Sequence, residues 1–571
     1  MTSDKYRKIL VRMPGGIKAI IDALPILASL KAEFPKAAIY LLVQENMEDL
    51  LRNFENFFII PFNKYPRFAP TLKDGEDVIT YIQKKEFDLG ILCTYSFSSA
   101  YMFYQGMVKR IIGFKRPFGS FMLTDVVSIG SNQDLLSPLG LSLDTNPPKI
   151  YAKSNKLCFL TIGLCCSLED EVLKRKWYLE LCNYILDIIP QVKISILGNV
   201  SDSFDIDSII KGRTDSIFDK TAERSLGDMI DLIHNLDVYV SDNEDYLSIA
   251  SAVDTPFVNI KGKIENHTLL PEDFFHLIKD ALLQSLQDTS HQASFTDYKP
   301  IKEEELTKIQ LPFVKKRVGV IILAGGMGRR LGLDKAKGLL TLGERCLYDI
   351  LLEKSKGAEK IGVLTSPLTY TETKNYCGDK EINLFYAKAY PTESGDSVSP
   401  EGNGSLFDAL VHSKHWKQWR QLDLISVIAV DNPLADPLDP ELLSSDRQLT
   451  VIGVERDRKE SKLGVLCKSG DYLAVREYFT LGKDGLEGLG YSGIFAATPE
   501  FFEKVCSKTL PFYRIEKNNE VFFERLLIDG FLFAKDFLVI SKKRKDCFFP
   551  IKEKADVIAY CKQLTVEEKE R

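Results

Sequence analysis

VGVIILAGGMGRRLG, residues 318–332, is the stretch that decides the fold of the part of the chain that contains it. Six apolar residues run without a charge from Val318 to Leu323, too short for a helix and right for a buried strand. A turn with glycines at 325, 326 and 328 follows, then Arg329 and Arg330, and five residues after Gly332 come Lys337 and Gly338. Glycines let a backbone approach a phosphate chain closely, the N–H groups of such a turn form an anion-binding nest, and Arg330 and Lys337 add positive charge. The loop fits a triphosphate. No Gly-Lys-Ser/Thr closes it as in a Walker loop, and neither its glycine spacing nor its basic pair is that of a dinucleotide fingerprint. A tight strand-to-helix turn without a ligand is the alternative reading.

The same rhythm extends outward in both directions. Toward the amino terminus KILVRM, a helix over Ile20–Lys31, AAIYLLV, a helix over Met47–Phe54 and NFFIIPF alternate. The pattern restarts after Asn146–Pro148 with LCFLTIGL, a helix near Leu173–Ile188, KISILG, a helix near Gly227–Leu236, VYVSD and FVNI. Alternating short apolar runs and helices predict parallel α/β sheets. Between Leu283 and Lys316 the chain turns polar (QDTSHQAS, KEEELTK), which predicts a linker. The expected division is therefore a lobe over 1–148, a second lobe over 149–285, a linker over 286–315 and a separate α/β domain over 316–571. At 571 residues, 45 % hydrophobic and 27 % charged, the chain is expected to form several packed domains. A net charge of -6 gives no global basic field for nucleic acid. The 11 scattered cysteines read as reduced thiols, and the start, MTSDKYRKILVRM, has no signal-peptide core, so a cytoplasmic protein without a transmembrane segment is expected.

Five motifs in order resemble the eukaryotic-type UDP-sugar pyrophosphorylases, above all the UDP-N-acetylglucosamine pyrophosphorylases. They are LAGGMGRRLG with Lys337-Gly338, LTSPLTYTET, SVSPEGNGSLFDAL, IAVDNPLADP, and LLIDGFLFAKDFLVISKKRKDCFFPIK, spanning roughly Lys316–Asp556. The resemblance implies a nucleotidyltransferase (GT-A-like) fold with a mixed, mainly parallel sheet, and the transfer of a uridylyl group from UTP to a sugar 1-phosphate, N-acetylglucosamine 1-phosphate foremost. It implies Leu323, Ala324, Gly325, Gly326, Gly402, Asn403 and Gly404 as nucleotide-binding residues, with Ser492 and Gly493 on the sugar side. Asp431 would hold Mg²⁺, Arg330 would face the leaving pyrophosphate, Lys337 the α-phosphate, and Lys552 would close the site. Each has a plainer reading: Asp431 as a turn cap before Pro433, Lys552 as a solvated lysine among Lys542, Lys543 and Lys545, and Gly402–Gly404 as a surface loop. Where the family carries glutamine near uracil this chain has Ala387 and Lys388, and YSGIFAATPEFF is closer to a bacterial nucleotidyltransferase pattern.

Residues Lys8 to roughly Lys263 resemble the heptosyltransferases of lipopolysaccharide core assembly, a glycosyltransferase family with two facing Rossmann-like lobes (GT-B type). ILVRMP, LCTYSFSSAYMFY, RIIGFKRPFGSFMLTD and SLGDMIDLIHNLDVYVSD with IASAVDTP carry the likeness. The family's acceptor base falls at Lys18-Ala19, and its donor loop becomes Asp242-Asn243-Glu244-Asp245-Tyr246-Leu247-Ser248. Carboxylates beside a diphosphate repel it. The expected function is a uridylyltransferase carrying a silent glycosyltransferase-like module used for docking or homo-oligomerisation. The alternatives are a bifunctional enzyme whose first half also transfers a sugar, and a non-enzymatic nucleotide-sugar-binding scaffold.

Overall fold

The computed structural model describes residues 5–570 apart from 53, 66–68, 145–146, 155, 157–158, 199–206, 222–223, 265–269, 290–297, 307–314, 329–330, 334, 457–462, 478–486 and 518–519. The described residues form two compact units: Met1–Asn155, Thr161–Cys182 and Ile194–Phe274 make the first, and Lys156–Leu160, Asn183–Lys193 and Phe275–Arg571 the second. No described helix is long and apolar enough to cross a membrane.

The first unit holds two sheets. One is built from β1 (Lys8–Arg12), β2 (Ala38–Gln44), β3 (Phe58–Asn63), β4 (Thr71–Leu72), β5 (Leu89–Leu92), β6 (Ile111–Phe114) and β7 (Asp125–Val127), in the order β4-β3-β2-β1-β5-β6-β7. All its pairings are parallel except β3 with β4. The other contains β8 (Thr161–Cys165), β9 (Lys193–Leu197), β10 (Ile217–Lys220), β11 (Val238–Ser241) and β12 (Phe257–Asn259), in the order β10-β9-β8-β11-β12. In both, the first strand is central and the order reverses beside it, as in a doubly wound Rossmann-like lobe. KILVR and VYVS are buried on both faces because helices cover both sides of a parallel sheet. The helix α1 spans Ile17–Glu33, longer at both ends than its apolar pattern, with Pro25 inside it. The expected helix over Met47–Phe54 is a 3₁₀ segment, Glu45–Leu51, whose steeper rise per residue spans the short crossover between adjacent parallel strands. One core runs through both lobes, joining Ile9, Ile20 and Leu24 to Met229, Tyr239 and Leu247.

The second unit is dominated by a ten-stranded sheet. Its strands are β13 (Lys299–Pro300), β14 (Val318–Leu323), β15 (Lys360–Thr365), β16 (Ile382–Tyr386), β17 (Leu424–Ala429), β18 (Leu449–Val454), β19 (Val465–Ser469), β20 (Tyr472–Arg476), β21 (Gly490–Ala497) and β22 (Phe537–Lys542). The run β16-β15-β14-β17 is parallel and again has its first strand inside. β21 then pairs antiparallel with β17, β18 and β19, and β22 lies parallel to β18. Successive residues of β14 point into two cores: Ile321 packs with Phe385, Trp419 and Phe495, while Val320 and Ile322 pack with Leu347, Val363 and Ile452. Part of the stretch read as a linker belongs to this sheet: Lys299 and Pro300 pair antiparallel with Lys468 and Cys467, and Ile301 is buried in the core. Pro300, lacking an N–H, is suited to that sheet edge.

Candidate functional site

A cavity of about 1050 Å³ opens at the carboxyl ends of β14 and β17, the point where the strand order of the ten-stranded sheet reverses. Open α/β sheets place ligands at that switch point. The Gly325–Gly328 turn forms one wall. Its shape is set by the threonine-rich segment of the next crossover: Ser366 Oγ donates to the Gly325 carbonyl (2.7 Å) and Thr369 Oγ1 to that of Ala324 (3.2 Å). A Cβ added at Gly326 would meet no protein atom within 4 Å, so the missing side chain leaves clearance on the cavity side. Met327 forms an isolated antiparallel bridge with Ala336, and the Lys337 N–H donates to the Gly326 carbonyl (3.2 Å), so the chain doubles back and carries Lys337 across the turn.

Lys337 Nζ lies 2.9 Å from Asp431 Oδ2, the side chains 15 % and 22 % exposed. Asp431 stands just past β17, and its neighbour Asn432 is buried. Asn432 Nδ2 donates to the Cys547 carbonyl (2.8 Å), its Oδ1 accepts from the Phe549 N–H (2.9 Å), and the Ile551 N–H donates to the Asp431 carbonyl (2.8 Å). Those bonds hold the Phe549–Lys552 segment against the strand end and put Lys552 on the cavity wall. Asp556 fixes the next turn by accepting from the N–H groups of Lys552 and Glu553, both at 2.8 Å.

The opposite wall is made by Ser397–Pro400, Gly402, Asn403 and a hairpin of β23 (Phe512–Lys517) with β24 (Glu520–Arg525). Gly402 has φ +89°, and a Cβ there would stand 2.4 Å from the Arg525 carbonyl oxygen, while one at Gly404 would meet Arg525 at 2.9 Å. These glycines therefore admit the neighbouring strand, a different reason from the approach of a base expected from sequence. Asn403 Oδ1 accepts from the Leu527 N–H (2.9 Å). Arg525, its side chain 11 % exposed, is paired with Glu401 (2.7 Å) and Asp408 (2.6 Å). Glu520, Phe522 and Glu524 face the cavity from alternate positions of β24, and no alternation of polar and apolar residues in EVFFER marks them in the sequence.

Leu323, Gly325, Gly326, Lys337, Gly402, Asn403, Asp431 and Lys552 thus line one cavity, as does Ala387. Ala324 and Gly404 are buried behind its wall. Ser492 is buried in the sheet, its hydroxyl donated to the Ile452 carbonyl (2.7 Å), and neither it nor Gly493 is on the lining; the sugar-side expectation meets a serine already committed to the backbone. Arg330 lies outside the described residues. As for a metal, Asp431 is a single carboxylate at the cavity edge, which fits an Mg²⁺ that takes one or two protein oxygens and completes its shell with phosphates and water.

Within the first unit, the segment read from the sequence as a donor loop forms the start of a helix. The helix α2 (Glu244–Ala252) is capped by Asn243, whose Oδ1 accepts from the N–H groups of Asp245 and Tyr246. Asp245 accepts from the Lys18 N–H at the start of α1 (3.2 Å), Glu244 pairs with Lys261 (2.7 Å) and Lys18 (3.6 Å), and Asp242 accepts from Ser167. Beside it Ile17, Met47, Arg224 and Tyr246 border a small cavity of about 170 Å³. Small-molecule sites need roughly 300–1,000 Å³.

No protein-family model matches the chain. It is 23 % identical over 308 residues to UDP-N-acetylhexosamine pyrophosphorylase-like protein 1 of Xenopus tropicalis, covering 42 % of this chain and 60 % of that protein. It is 25 % identical over 317 residues to a probable UDP-N-acetylglucosamine pyrophosphorylase of Encephalitozoon cuniculi (strain GB-M1), covering 48 % of this chain and 90 % of the other. The alignment with the Xenopus protein thus spans less than two thirds of that relative. Among solved structures, a putative UDP-N-acetylglucosamine pyrophosphorylase from Entamoeba histolytica aligns with TM-score 0.41 at 21 % identity over 45 % of this chain and 83 % of its own. The E. coli ADP-heptose lipopolysaccharide heptosyltransferase II aligns with TM-score 0.40 at 16 % identity over 48 % of this chain and 99 % of its own. The chain is therefore similar in sequence, over less than half its length, to proteins named as UDP-N-acetylhexosamine and UDP-N-acetylglucosamine pyrophosphorylases.

Proposed function

We propose that the second unit is a uridylyltransferase that joins UTP and a sugar 1-phosphate into a UDP-sugar and releases pyrophosphate. The observation that carries this reading is the convergence of a glycine turn, Lys337, Asp431 and Lys552 on one cavity at the sheet's switch point. The named relatives support the same reaction class.

In the proposed reaction a phosphate oxygen of the sugar 1-phosphate attacks the α-phosphorus of UTP, a new P–O bond forms, and the bond to the β-phosphate oxygen breaks with pyrophosphate leaving. Two polyanions must be held together, so the protein's task is positioning and charge neutralisation. The Gly325–Gly328 backbone cradles the phosphates, Lys337 meets the charge that grows at the α-phosphate, and Lys552 contributes a second cation from the segment held beside Asp431. Arg330, two residues past Gly328, is assigned to the leaving pyrophosphate. Mg²⁺ at Asp431 would supply phosphate neutralisation when bound. Without it, the Lys337–Asp431 pair keeps both side chains aimed into the cavity. The sugar side is assigned to the wall bearing Glu520 and Glu524, whose carboxylates can accept from sugar hydroxyls. N-acetylglucosamine 1-phosphate is the favoured substrate and glucose 1-phosphate the next.

The first unit is assigned a catalytically silent role, supported by the Lys18–Glu244–Lys261 cluster and by the small residual cavity. The test is pyrophosphate release from UTP and Mg²⁺ with a panel of sugar 1-phosphates and the full chain. Release with at least one of them, N-acetylglucosamine 1-phosphate first, is expected; no release with any would overturn the proposal.

A further inference from the structure

We propose a second metal site, for a zinc-type divalent ion that prefers sulfur and imidazole, formed by Asp408, His412 and Cys506 behind the Gly402–Gly404 wall. Asp408 and His412 are four residues apart on and just past α3 (Leu406–Val411), hence on one face, and Cys506 ends α4 (Pro499–Cys506), which packs against it. Their ligand atoms all lie within 4.8 Å of one another. Cys506 Sγ is 3.5 Å from Asp408 Oδ1 and 3.7 Å from His412 Nε2. Tetrahedral zinc with ordinary bond lengths to sulfur, nitrogen and oxygen would separate sulfur from either other ligand by about 3.6 Å. The two edges from sulfur thus match such a site before any ion enters, the third from Asp408 to His412 lies within 4.8 Å, and exposed His412 leaves a path from solvent.

A second feature sets this cluster apart from a chance helix contact. Asp408 uses only one oxygen toward the sulfur; Oδ2 is held by Arg525 Nη1 at 2.6 Å, the kind of outer contact that orients a ligand carboxylate. Arg525 shares its guanidinium with Glu401 (2.7 Å), so Arg525 with two carboxylates carries a net charge of -1, and loss of the Cys506 proton on metal binding makes it -2, matching a divalent ion. Lys388, which acts on both Asp408 and His412, and Lys156, which acts on His412, oppose that attraction. An ion fixed here would brace Arg525 and, through it, Glu401 and Gly402 on the cavity wall. The competing arrangement is a chain of hydrogen bonds from His412 through the thiol to Asp408.

The full chain, stripped with chelator and reduced with a phosphine, would be titrated with Co²⁺ and followed by absorption. One equivalent giving a thiolate-to-cobalt charge-transfer band, displaced by Zn²⁺ and not by Mg²⁺, is expected. Cys506→Ala should abolish the band, and His412→Asn, at an exposed position that puts folding at little risk, should weaken binding at least tenfold. Absence of the band in the parent protein, or an undiminished band in Cys506→Ala, would overturn the proposal in favour of the hydrogen-bonded chain. This readout does not pass through uridylyl transfer, so either proposal can fail alone.

Discussion

Lys337 and Asp431 face each other at 2.9 Å, mostly out of water, and each is costly to leave without the other. Lys337→Ala should therefore lower kcat and kcat/KM together, on the order of a hundredfold, because the lost charge acts on the transition state; steady-state kinetics with UTP varied would show it, and an effect on KM alone would restrict Lys337 to ground-state binding. Asn432 is the residue that sequence reading passed over. Asp431 was legible because an acidic residue ending an apolar strand beside a glycine turn has a chemical meaning. Asn432 acts on Cys547 and Phe549, more than a hundred positions away, and no local pattern reveals such a partner. Asn432→Ala leaves the buried Cys547 carbonyl and the half-buried Phe549 N–H without this partner, about 1–3 kcal/mol for the first and less for the second. Urea denaturation should register that loss, and turnover should fall beyond it as Lys552 drifts. Asp529 yields a prediction in pH. Burial, with Glu477 adding to it, pushes its carboxyl up from the usual 3.8 to about 7, against a hydrogen bond from the Tyr513 hydroxyl (3.0 Å). The folded state then binds the extra proton, so this group's contribution to stability is fully present below about 4 and is lost as pH rises through about 7. Asp529→Asn should flatten that decline; midpoints of thermal unfolding that fall equally in both proteins between those pH values would exclude Asp529 as its source.

At the scale of elements, the parallel run of each of the three main sheets keeps its first strand inside and reverses order beside it. That was legible, since strands buried on both faces read as uninterrupted apolar runs such as KILVR and VGVIIL. The β23–β24 hairpin was not. EVFFER is half-buried, with its carboxylates on the cavity side but no polar–apolar alternation, and in isolation it resembles any exposed strand. Nor could sequence distinguish a glycine that clears space for a ligand from one that clears space for backbone. Gly326 and Gly402 look alike in the sequence, yet a Cβ would find open space at the first and the Arg525 carbonyl at the second. Gly402→Ala should accordingly destabilise by about 2 kcal/mol or more through its left-handed φ and the displaced strand. It should also raise the KM for UTP, whereas Gly326→Ala should leave stability within about 0.5 kcal/mol and act on UTP binding alone. Calorimetry paired with kinetics on both variants separates the two roles, and equal destabilisation by both would refute the distinction.

At the scale of the whole molecule, the charged stretch between Leu283 and Lys316 reads as a boundary because it lacks periodicity, yet Lys299–Ile301 supplies the edge of the ten-stranded sheet. Ile301 donates its N–H to the Leu466 carbonyl (2.9 Å), accepts from the Leu489 N–H (2.9 Å), and is 2 % exposed. The three-residue element is too short to show an alternating pattern and is flanked by lysine and glutamate, which is why composition conceals it. Its weight can be measured by comparing two truncated chains, one beginning at Tyr298 and one at Thr307. Both lose the first unit and every part of the second that precedes Tyr298, with the Lys279 bond to the Glu393 carbonyl and the Phe159–Tyr386 ring contact, so those losses cancel in the comparison. Only the shorter chain loses β13 and the buried Ile301, leaving β19 with an unpaired edge and the core with a gap, a difference of about 2–5 kcal/mol for the side chain alone. The chain from Tyr298 should therefore fold and release pyrophosphate, while the chain from Thr307 should unfold at distinctly lower urea concentration and aggregate more readily. Equal midpoints for the two would mean that β13 contributes nothing to the sheet. The complementary piece, residues 1–285, should transfer no sugar from any nucleotide donor, because Lys18 and Lys261 both pair with Glu244 at the start of α2 and the cavity bordered by Tyr246 is small. Transfer by that piece, abolished by substitutions at Tyr246 and Arg224, would establish a second active site there.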